Sequence, residues 1–292
     1  MVEHTYLGNY PDERQDDWTD ECQGVTHDRD HWFITQKGAV WRIPLGKDLR
    51  DSLRHGVDGV RRRTIPIEGY DHFGDPDVRG GTLYIPLEGT RRILFVTIHR
   101  VPLIVAFDGD DLGMRWSAPL PHQQQAPWCA VDAAGILYSS NGRVTPRVER
   151  RAGPLFRYRR GQAGLTLIDR VVLRDEHGTP VVLDSVQGGA FADEHHMYLS
   201  CGFYKDPHPS WGIHLFDMRT RRRVARSTNG SGSFDYEFHA HDPYDEEPEG
   251  LTYWDLDGRD APGISGQLHA ILLDNDDNGD DVYFKHYRVH GL

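Results

Sequence analysis

Four polar residues stand at the start of strand-like segments that are far apart in the chain. Gln23, Asp75, Gln187 and Glu249 occur in the stretches ECQGV, HFGDPD, VQGGA and PEGLT. A glycine follows three of the four, as close approach of neighbouring backbones would require. If these segments converge, their amide and carboxylate oxygens form the ligand set of a hard cation such as Ca²⁺, which binds about six to eight oxygens. The sequence therefore predicts a metal site, with Ca²⁺ as the first choice.

Two alternatives remain open for the same residues. Polar side chains at a channel can instead bind one another and a column of ordered water. A transition metal could also bind to histidines, because imidazole suits zinc, copper or iron. The candidates for that site are His27, His72 and His239.

Histidines near these segments are candidates for acid–base catalysis, because imidazole titrates close to neutral pH. They are His72, in the loop at 70–77, and His239 and His241, in the long loop-like segment 229–250. That segment also contains aromatic residues that could form a wall beside a substrate, namely Phe234, Tyr236 and Phe238. The alternative interpretation is a glycine- and serine-rich turn followed by an edge strand.

Five repeated patterns position these residues. Short strand-like apolar runs recur at intervals of about 50 to 70 residues, each followed by further strand signals and a polar turn. Repeats of this length with three or four strands are typical of propeller blades. The sequence predicts a single all-β domain over 1–292, a five-bladed β-propeller. The expected blades cover approximately the following ranges: 20–70, 71–121, 122–175, 184–228 and 234–292. The last repeat lacks an outer strand, so we expect residues 3–10 to complete it and close the ring.

Two other segments give local predictions. GKDLRDSLRHGV, at 46–57, predicts a short helix. DNDDNGDD, at 274–281, matches the first ligand positions of an EF-hand loop but has Lys285 where a bidentate Glu is needed. Asn-Gly between apolar strands is a strong hairpin signal, so we expect a solvated turn there.

Composition excludes some partners and locations. The net charge of −12, from 45 acidic and 33 basic residues, disfavours nucleic acid and anionic membranes. The chain lacks both a long apolar run and a signal-peptide pattern, which predicts a cytoplasmic protein. Its three widely spaced cysteines indicate buried thiols rather than a disulfide framework. The expected partner is a small polar molecule or a sugar.

The motifs QGVTHDRDHWFIT, VQGGAFADEHHMYLS and EPEGLTYWD resemble uncharacterised bacterial five-bladed propeller proteins, through all five repeats. More loosely, Glu249-Gly250-Leu251 resembles the calcium-activated nucleotidases, or apyrases. That resemblance implies Ca²⁺ in the channel, held at Gln23, Asp75, Gln187 and Glu249, with a phosphate-bearing substrate. The chain departs from the apyrases in having few basic residues near these motifs.

Three functional classes follow from these features. The favoured class is a metal-dependent hydrolase or lyase, in which a channel metal polarises a carbonyl or activates water beside a histidine base. A glycosidase would need three carboxylates at suitable separations, and the candidates are Asp20 or Glu21, Asp75 or Asp77, and Glu249. The alternative to an enzyme is a non-catalytic propeller that binds a carbohydrate or another small molecule. Its possible stacking platforms are Trp18, Trp128, Trp211 and Trp254, although packing between blades is the favoured interpretation of these tryptophans.

Overall fold

The structure is a computed structural model that describes residues 2–15, 17–93, 96–142, 154–183, 185–202, 210–228, 233–236, 246–274 and 281–292. These residues form 23 β-strands and no α-helix. Five antiparallel sheets are arranged in a ring, which confirms the predicted five-bladed β-propeller. No helix in the described part of the chain is long and apolar enough to cross a membrane.

The chain begins with strand β1 (Glu3–Asn9) and then builds the blades in order. Blade I contains β2 (Cys22–His27), β3 (His31–Gln36), β4 (Ala39–Pro44) and β5 (Arg61–Thr64). The next strands are β6 (His72–Phe73), β7 (Asp77–Arg79), β8 (Thr82–Glu88), β9 (Thr90–Ile93), β10 (Val96–His99), β11 (Leu103–Asp108) and β12 (Met114–Pro119). All of these except β9 and β10, which pair only with each other, belong to blade II.

The remaining blades are regular four-stranded sheets. Blade III contains β13 (Ala130–Val131), β14 (Ile136–Ser139), β15 (Leu155–Gly161) and β16 (Gly164–Val171). Blade IV contains β17 (Val186–Phe191), β18 (His196–Cys201), β19 (Gly212–Asp217) and β20 (Arg222–Arg226). Blade V contains β21 (Glu246–Tyr253), β22 (Leu268–Asp274) and β23 (Asp281–His290), with β1 as its outermost strand.

Closure of the ring follows the prediction, because β1 pairs with β23 from Glu3 opposite His290 to Asn9 opposite Lys285. His4 anchors the strand to the neighbouring blade. Its Nε2 lies 2.8 Å from the hydroxyl of Tyr198, and its ring stacks on Phe234 at 3.7 Å. The terminal strand is therefore part of the inter-blade core as well as of its own sheet.

Burial explains why the middle strands have the clearest sequence signal. Side chains on both faces of β3, β18 and β22 are buried, because each blade packs against neighbours on either side. The outer strands β16 and β20 alternate between exposed and partly buried residues. All three cysteines are buried and free, as predicted.

The predicted helix at 46–57 is wrong, because this segment consists of turns. Asp48 accepts hydrogen bonds from the backbone N–H of Arg50 and from the hydroxyl of Tyr10. Those contacts favour a tight turn over a helix. Leu49 and Leu53 are still buried, so their spacing in the sequence results from packing against the blade and not from helical periodicity.

At the 274–281 turn, residues 275–280 lie outside the described residues. The strands on either side of it pair antiparallel, with Asp274 opposite Asp281.

Candidate functional site in the central channel

A cavity of about 220 Å³ lies at the channel and receives residues from all five blades or their connecting loops. It is lined by Gln23, His72, Glu88, Gln125, Pro127, Gly142, Ser185, Gln187, Glu247 and Glu249. Four residues predicted from sequence, namely Gln23, His72, Gln187 and Glu249, are thus brought together.

β-Bulges explain why three of these side chains line the channel. The pairing register of β2 shifts between Cys22 and Gly24, and that of β17 shifts between Val186 and Gly188. In β21 the shift lies between Pro248 and Leu251. The residues at the shifts are Gln23, Gln187 and, in β21, Glu249 with Gly250. Because a bulge leaves a residue out of the ladder and re-aims its side chain, the polar-glycine pattern marks three equivalent bulges.

Glycines at these bulges allow the inner strands to meet at the axis. A Cβ at Gly250 would overlap Oδ1 of Asp75, and one at Gly188 would lie 2.7 Å from Oγ of Ser200. Gly24 is equally crowded, against the backbone of Asp75. The close approach expected from the sequence is therefore present.

A hydrogen-bonded chain joins His72 to Glu249 through Gln23. The Gln23 amide nitrogen donates to the Cys22 carbonyl at 3.1 Å and reaches Oε1 of Glu249 at 3.5 Å. Its oxygen is therefore the acceptor for Nε2 of His72, at 2.6 Å. This arrangement puts the His72 proton on Nε2. Burial lowers the pKa of His72, so the ring is neutral at pH 7 and Nδ1 has a lone pair.

Glu247 and Glu249 form a carboxyl pair in the cavity. Burial and the neighbouring Glu247, which also hydrogen-bonds to it, raise the pKa of Glu249 well above its usual range. Two carboxyl groups that share a site hold a proton between them in this way. Burial also raises the pKa of Glu88, the third carboxyl group of the lining, although it accepts the backbone N–H of Ala126.

The electrostatic character of the cavity follows from this composition. Three carboxyl groups face it, and its described lining residues include no lysine or arginine. Phosphate or carboxylate ligands would lack a counter-charge here, whereas a cation or a hydroxyl-rich molecule would find acceptors. No group of three or more His, Cys, Asp or Glu residues in metal-binding proximity occurs in the described ranges. A cation would thus depend on amide as well as carboxylate oxygens.

Asp75 does not line this cavity. Its carboxylate is fully buried and accepts the N–H groups of Val25 and Gly189, each at 3.0 Å, and that of Leu251. Burial raises the pKa of Asp75 well above its usual range, while these three donors act in the opposite direction. Its own backbone pairs with Pro127 and Cys129. Asp75 therefore connects the inner strands of all five blades.

Of the other predicted histidines, only His27 is among the described residues, and it does not line the cavity. His239 and His241 lie outside the described residues, as does Phe238. His27 stacks on Trp254 at 4.5 Å and contacts Oγ1 of Thr252, and it does not line the cavity. The predicted aromatic wall is wrong for its two described members, because Phe234 and Tyr236 are buried in a core cluster between blades.

The carboxylate trio of a glycosidase is not assembled at this cavity, which only Glu249 of the candidates lines. Glu21 pairs with Lys37 at 2.8 Å, and neither it nor Asp20 reaches the cavity. Asp77 accepts the N–H groups of Val131 and Val78, and burial raises its pKa to about 7.

The four candidate tryptophans are buried, which agrees with the favoured interpretation as packing residues and not with stacking platforms. Trp18 and Trp128 have no exposed surface, and Trp211 and Trp254 are 9% and 6% exposed. All four are packing residues. Glu247, Glu88, Gln125 and Ser185 also line the cavity, and they were not among the residues predicted from the sequence. Only Glu247 had a readable signal, because residues two apart on a strand share a face and it lies two before Glu249.

The fold and site together define a five-bladed β-propeller with an acidic, amide-rich cavity at its channel. No protein-family model matches the chain. No curated protein matches it either. The resemblance to the apyrases is therefore unsupported.

Solved structures of similar fold do exist. One is a GH43_1 enzyme from Xanthomonas citri complexed with xylotriose, with 12% identity, 93% of this chain and 86% of that chain covered, and a TM-score of 0.50. Another is the PQQ-bound aldose sugar dehydrogenase from Streptomyces coelicolor, with 9% identity, 99% of each chain covered and a TM-score of 0.49. A Bacteroides thetaiotaomicron protein of unknown function has 10% identity, 99% and 76% coverage, and a TM-score of 0.43. At these identities the likeness concerns the fold alone.

Proposed function

We propose that this propeller is a cation-dependent enzyme of the hydrolase or lyase type that acts on a small polar molecule in the channel cavity. The proposal rests on one observation. Bulged residues from three blades, Gln23, Gln187 and Glu249, place their side chains at one cavity together with Glu247, and the described lining has no lysine or arginine.

Calcium is the cation we propose, because these groups offer oxygen atoms and no thiolate. The Glu247 and Glu249 carboxyl groups would hold it, and the amide oxygen of Gln187 would complete part of its shell together with the second lone pair of the Gln23 oxygen, whose first accepts from His72. Binding would displace the proton that the carboxyl pair shares, since metal ligands must be deprotonated. A bound Ca²⁺ would supply polarisation of a substrate carbonyl or of water.

His72 is the proposed general base. Its ring is held by the Nε2–H bond to Gln23, and its neutral state leaves Nδ1 able to accept a proton. Gln23 would then have two tasks, because it orients His72 and also contacts Glu249. A change at Gln23 should alter both cation binding and the pH dependence of activity.

A second candidate function is sugar binding without catalysis. Alternating amide and carboxyl groups are suitable partners for hydroxyl groups. Xylotriose, which the similar Xanthomonas citri enzyme binds in its crystal structure, is a natural first probe. With the tryptophans buried, recognition would depend on hydrogen bonds and not on stacking.

The test combines elemental analysis with thermal melts in EDTA and in added Ca²⁺, for the wild type and for Glu249→Gln. Glu21→Gln is the matched control, because it removes a nearby exposed carboxylate outside the cavity. We expect Ca²⁺ at 100 times its Kd to stabilise the wild type and the control by about 2.7 kcal/mol and to leave Glu249→Gln unchanged.

Activity is then screened with lactones, glycosides and phosphate esters in the presence and absence of the metal. Absence of bound metal and of any Ca²⁺-dependent shift would refute the cation proposal. Binding of xylotriose that persists in EDTA without turnover would instead favour the second candidate.

A further inference from the structure

A second cavity, of about 230 Å³, lies at the outer part of blade IV and shares no lining residue with the channel cavity. Its polar lining comes from Asp175, Ser210, His214, Arg223 and Arg226. The third strand of the blade, β19, contributes His214, and the outermost strand, β20, contributes the two arginines. Nothing in the proposed channel chemistry uses these groups.

His214 has an unused hydrogen-bond acceptor. The residue is fully buried, and Nε2 lies 2.7 Å from the backbone oxygen of Ser210, so Nε2 holds the proton. Nδ1 is buried without any hydrogen-bond partner. Burial lowers the pKa of His214 to about 3, which keeps the ring neutral. The nitrogen therefore has a lone pair that a hydroxyl or N–H donor would satisfy.

The two arginines bring positive charge to the same cavity. Arg226 lies directly opposite His214 in the β19–β20 ladder, and its Nη2 donates to the Trp211 carbonyl at 3.1 Å. Burial, and then the charge of Arg223, lower the pKa of Arg226. Arg223 is paired with Glu176 at 2.8 Å. An anion in this cavity would relieve the repulsion between the two guanidinium groups.

Asp175 is the carboxylate among the described lining residues, and its Oδ1 accepts the backbone N–H groups of His177 and Thr179, at 3.0 and 2.8 Å. These bonds fix a local turn and occupy that oxygen. The two guanidinium groups and the lone pair on Nδ1 of His214 would together bind a ligand that has both an anionic oxygen and a hydrogen-bond donor.

We propose that this cavity binds a small oxyanion that bears its own hydroxyl group. The anionic oxygens would contact Arg223 and Arg226, and the hydroxyl would donate to Nδ1 of His214. Hydrogenphosphate and 2-hydroxycarboxylates such as glycolate both have this chemistry. Sulfate and acetate have the charge but lack the hydroxyl.

The test uses calorimetric titration at pH 7 with two matched pairs of probes, phosphate against sulfate and glycolate against acetate. We expect the hydroxylated member of at least one pair to bind at least about tenfold more tightly than its partner, because a buried acceptor left unpaired discriminates strongly. The pair that shows the difference identifies the source of the ligand. The comparison within the wild type needs no variant and so does not depend on a variant's folding.

Two substitutions then locate the effect. His214→Phe should abolish the preference within the pair while retaining weak anion binding, with His214→Gln as a second variant that retains an acceptor and most of the preference. Arg226→Gln should weaken binding of both members, whereas Arg115→Gln, on blade II and outside the cavity, should change neither. Equal binding of both members of each pair, or no binding of any probe at 10 mM (about 1,000-fold above a 10 µM Kd), would overturn the proposal.

Discussion

Replacement of Asp75 tests whether one buried carboxylate holds the inner strands together. It accepts N–H groups from β2, β17 and β21. Alanine would leave all three donors unsatisfied, whereas asparagine keeps one acceptor oxygen and is nearly the same size. With about 1–3 kcal/mol for each buried donor left without a partner, we expect Asp75→Asn to cost about 1–3 kcal/mol. Asp75→Ala should cost roughly 3–9 kcal/mol by the same reasoning.

These losses are large compared with the total stability of a domain, about 5–15 kcal/mol. Urea denaturation followed by tryptophan fluorescence and by far-UV circular dichroism gives the free energies of unfolding. The asparagine variant should unfold in one transition with a lower midpoint, and the alanine variant should be partly unfolded in the absence of urea. Coincidence of the two probes shows that the whole ring is affected.

Asp110→Asn and Asp110→Ala provide the control, because this side chain is 96% exposed and its ion pair with Arg42 is 4.0 Å long. Both should change the free energy of unfolding by less than about 0.5 kcal/mol. If either Asp75 variant were as stable as its Asp110 counterpart, the three N–H groups would have to find other partners. Asp75 would then not be the residue that holds the inner strands together.

Three further predictions concern ring closure and the axis. Deletion of residues 1–10 should lower the midpoint temperature of a single cooperative calorimetric transition by about 10 °C, given a shift of roughly 2–4 °C for each kcal/mol of lost stability. A change confined to blade V would contradict this. Burial lowers the pKa of His4 to about 4, so the stability that its neutral form contributes is present above pH 6.5 and is lost as the pH falls from 6.5 to 4. The urea midpoint of His4→Phe should therefore depend less on pH than that of the wild type. Equal slopes of urea midpoint against pH for the two proteins would exclude this role. Gly250→Ala should destabilise the ring by about 1–3 kcal/mol in urea because its Cβ overlaps Asp75, unlike Gly38→Ala, where the added Cβ meets nothing within 4 Å.

The fold could be predicted from the sequence because each blade repeats the same pattern of buried and exposed strands. Middle strands buried on both faces read as apolar runs, and the missing outer strand of the last repeat pointed to the N-terminal strand. The helix predicted at 46–57 failed because the Asp48 contacts that favour a turn come partly from Tyr10, which is distant in sequence. Such tertiary contacts override local propensity.

The candidate site was only partly predictable. Gln23, Gln187 and Glu249 were recognisable because a polar residue before glycine is what a bulge at a crowded axis requires. Asp75, which follows Gly74 and precedes Pro76, was grouped with them, yet its oxygens meet backbone N–H groups and not the cavity. Sequence does not distinguish these two surroundings of a carboxylate. The burial of Trp128 likewise depends on its position against Gly189 of another blade.

The pairing of β1 with β23 also determines when during translation the ring can close. Glu3 faces His290, almost the whole chain later. At roughly 5–20 residues per second, about 15–60 s pass between translation of the first strand and translation of its partner. During that time β1 has no sheet to join, and blade V cannot form. The ring can close only after β23 has been translated, and until then β1 is an unpaired strand that is open to pairing with another nascent chain.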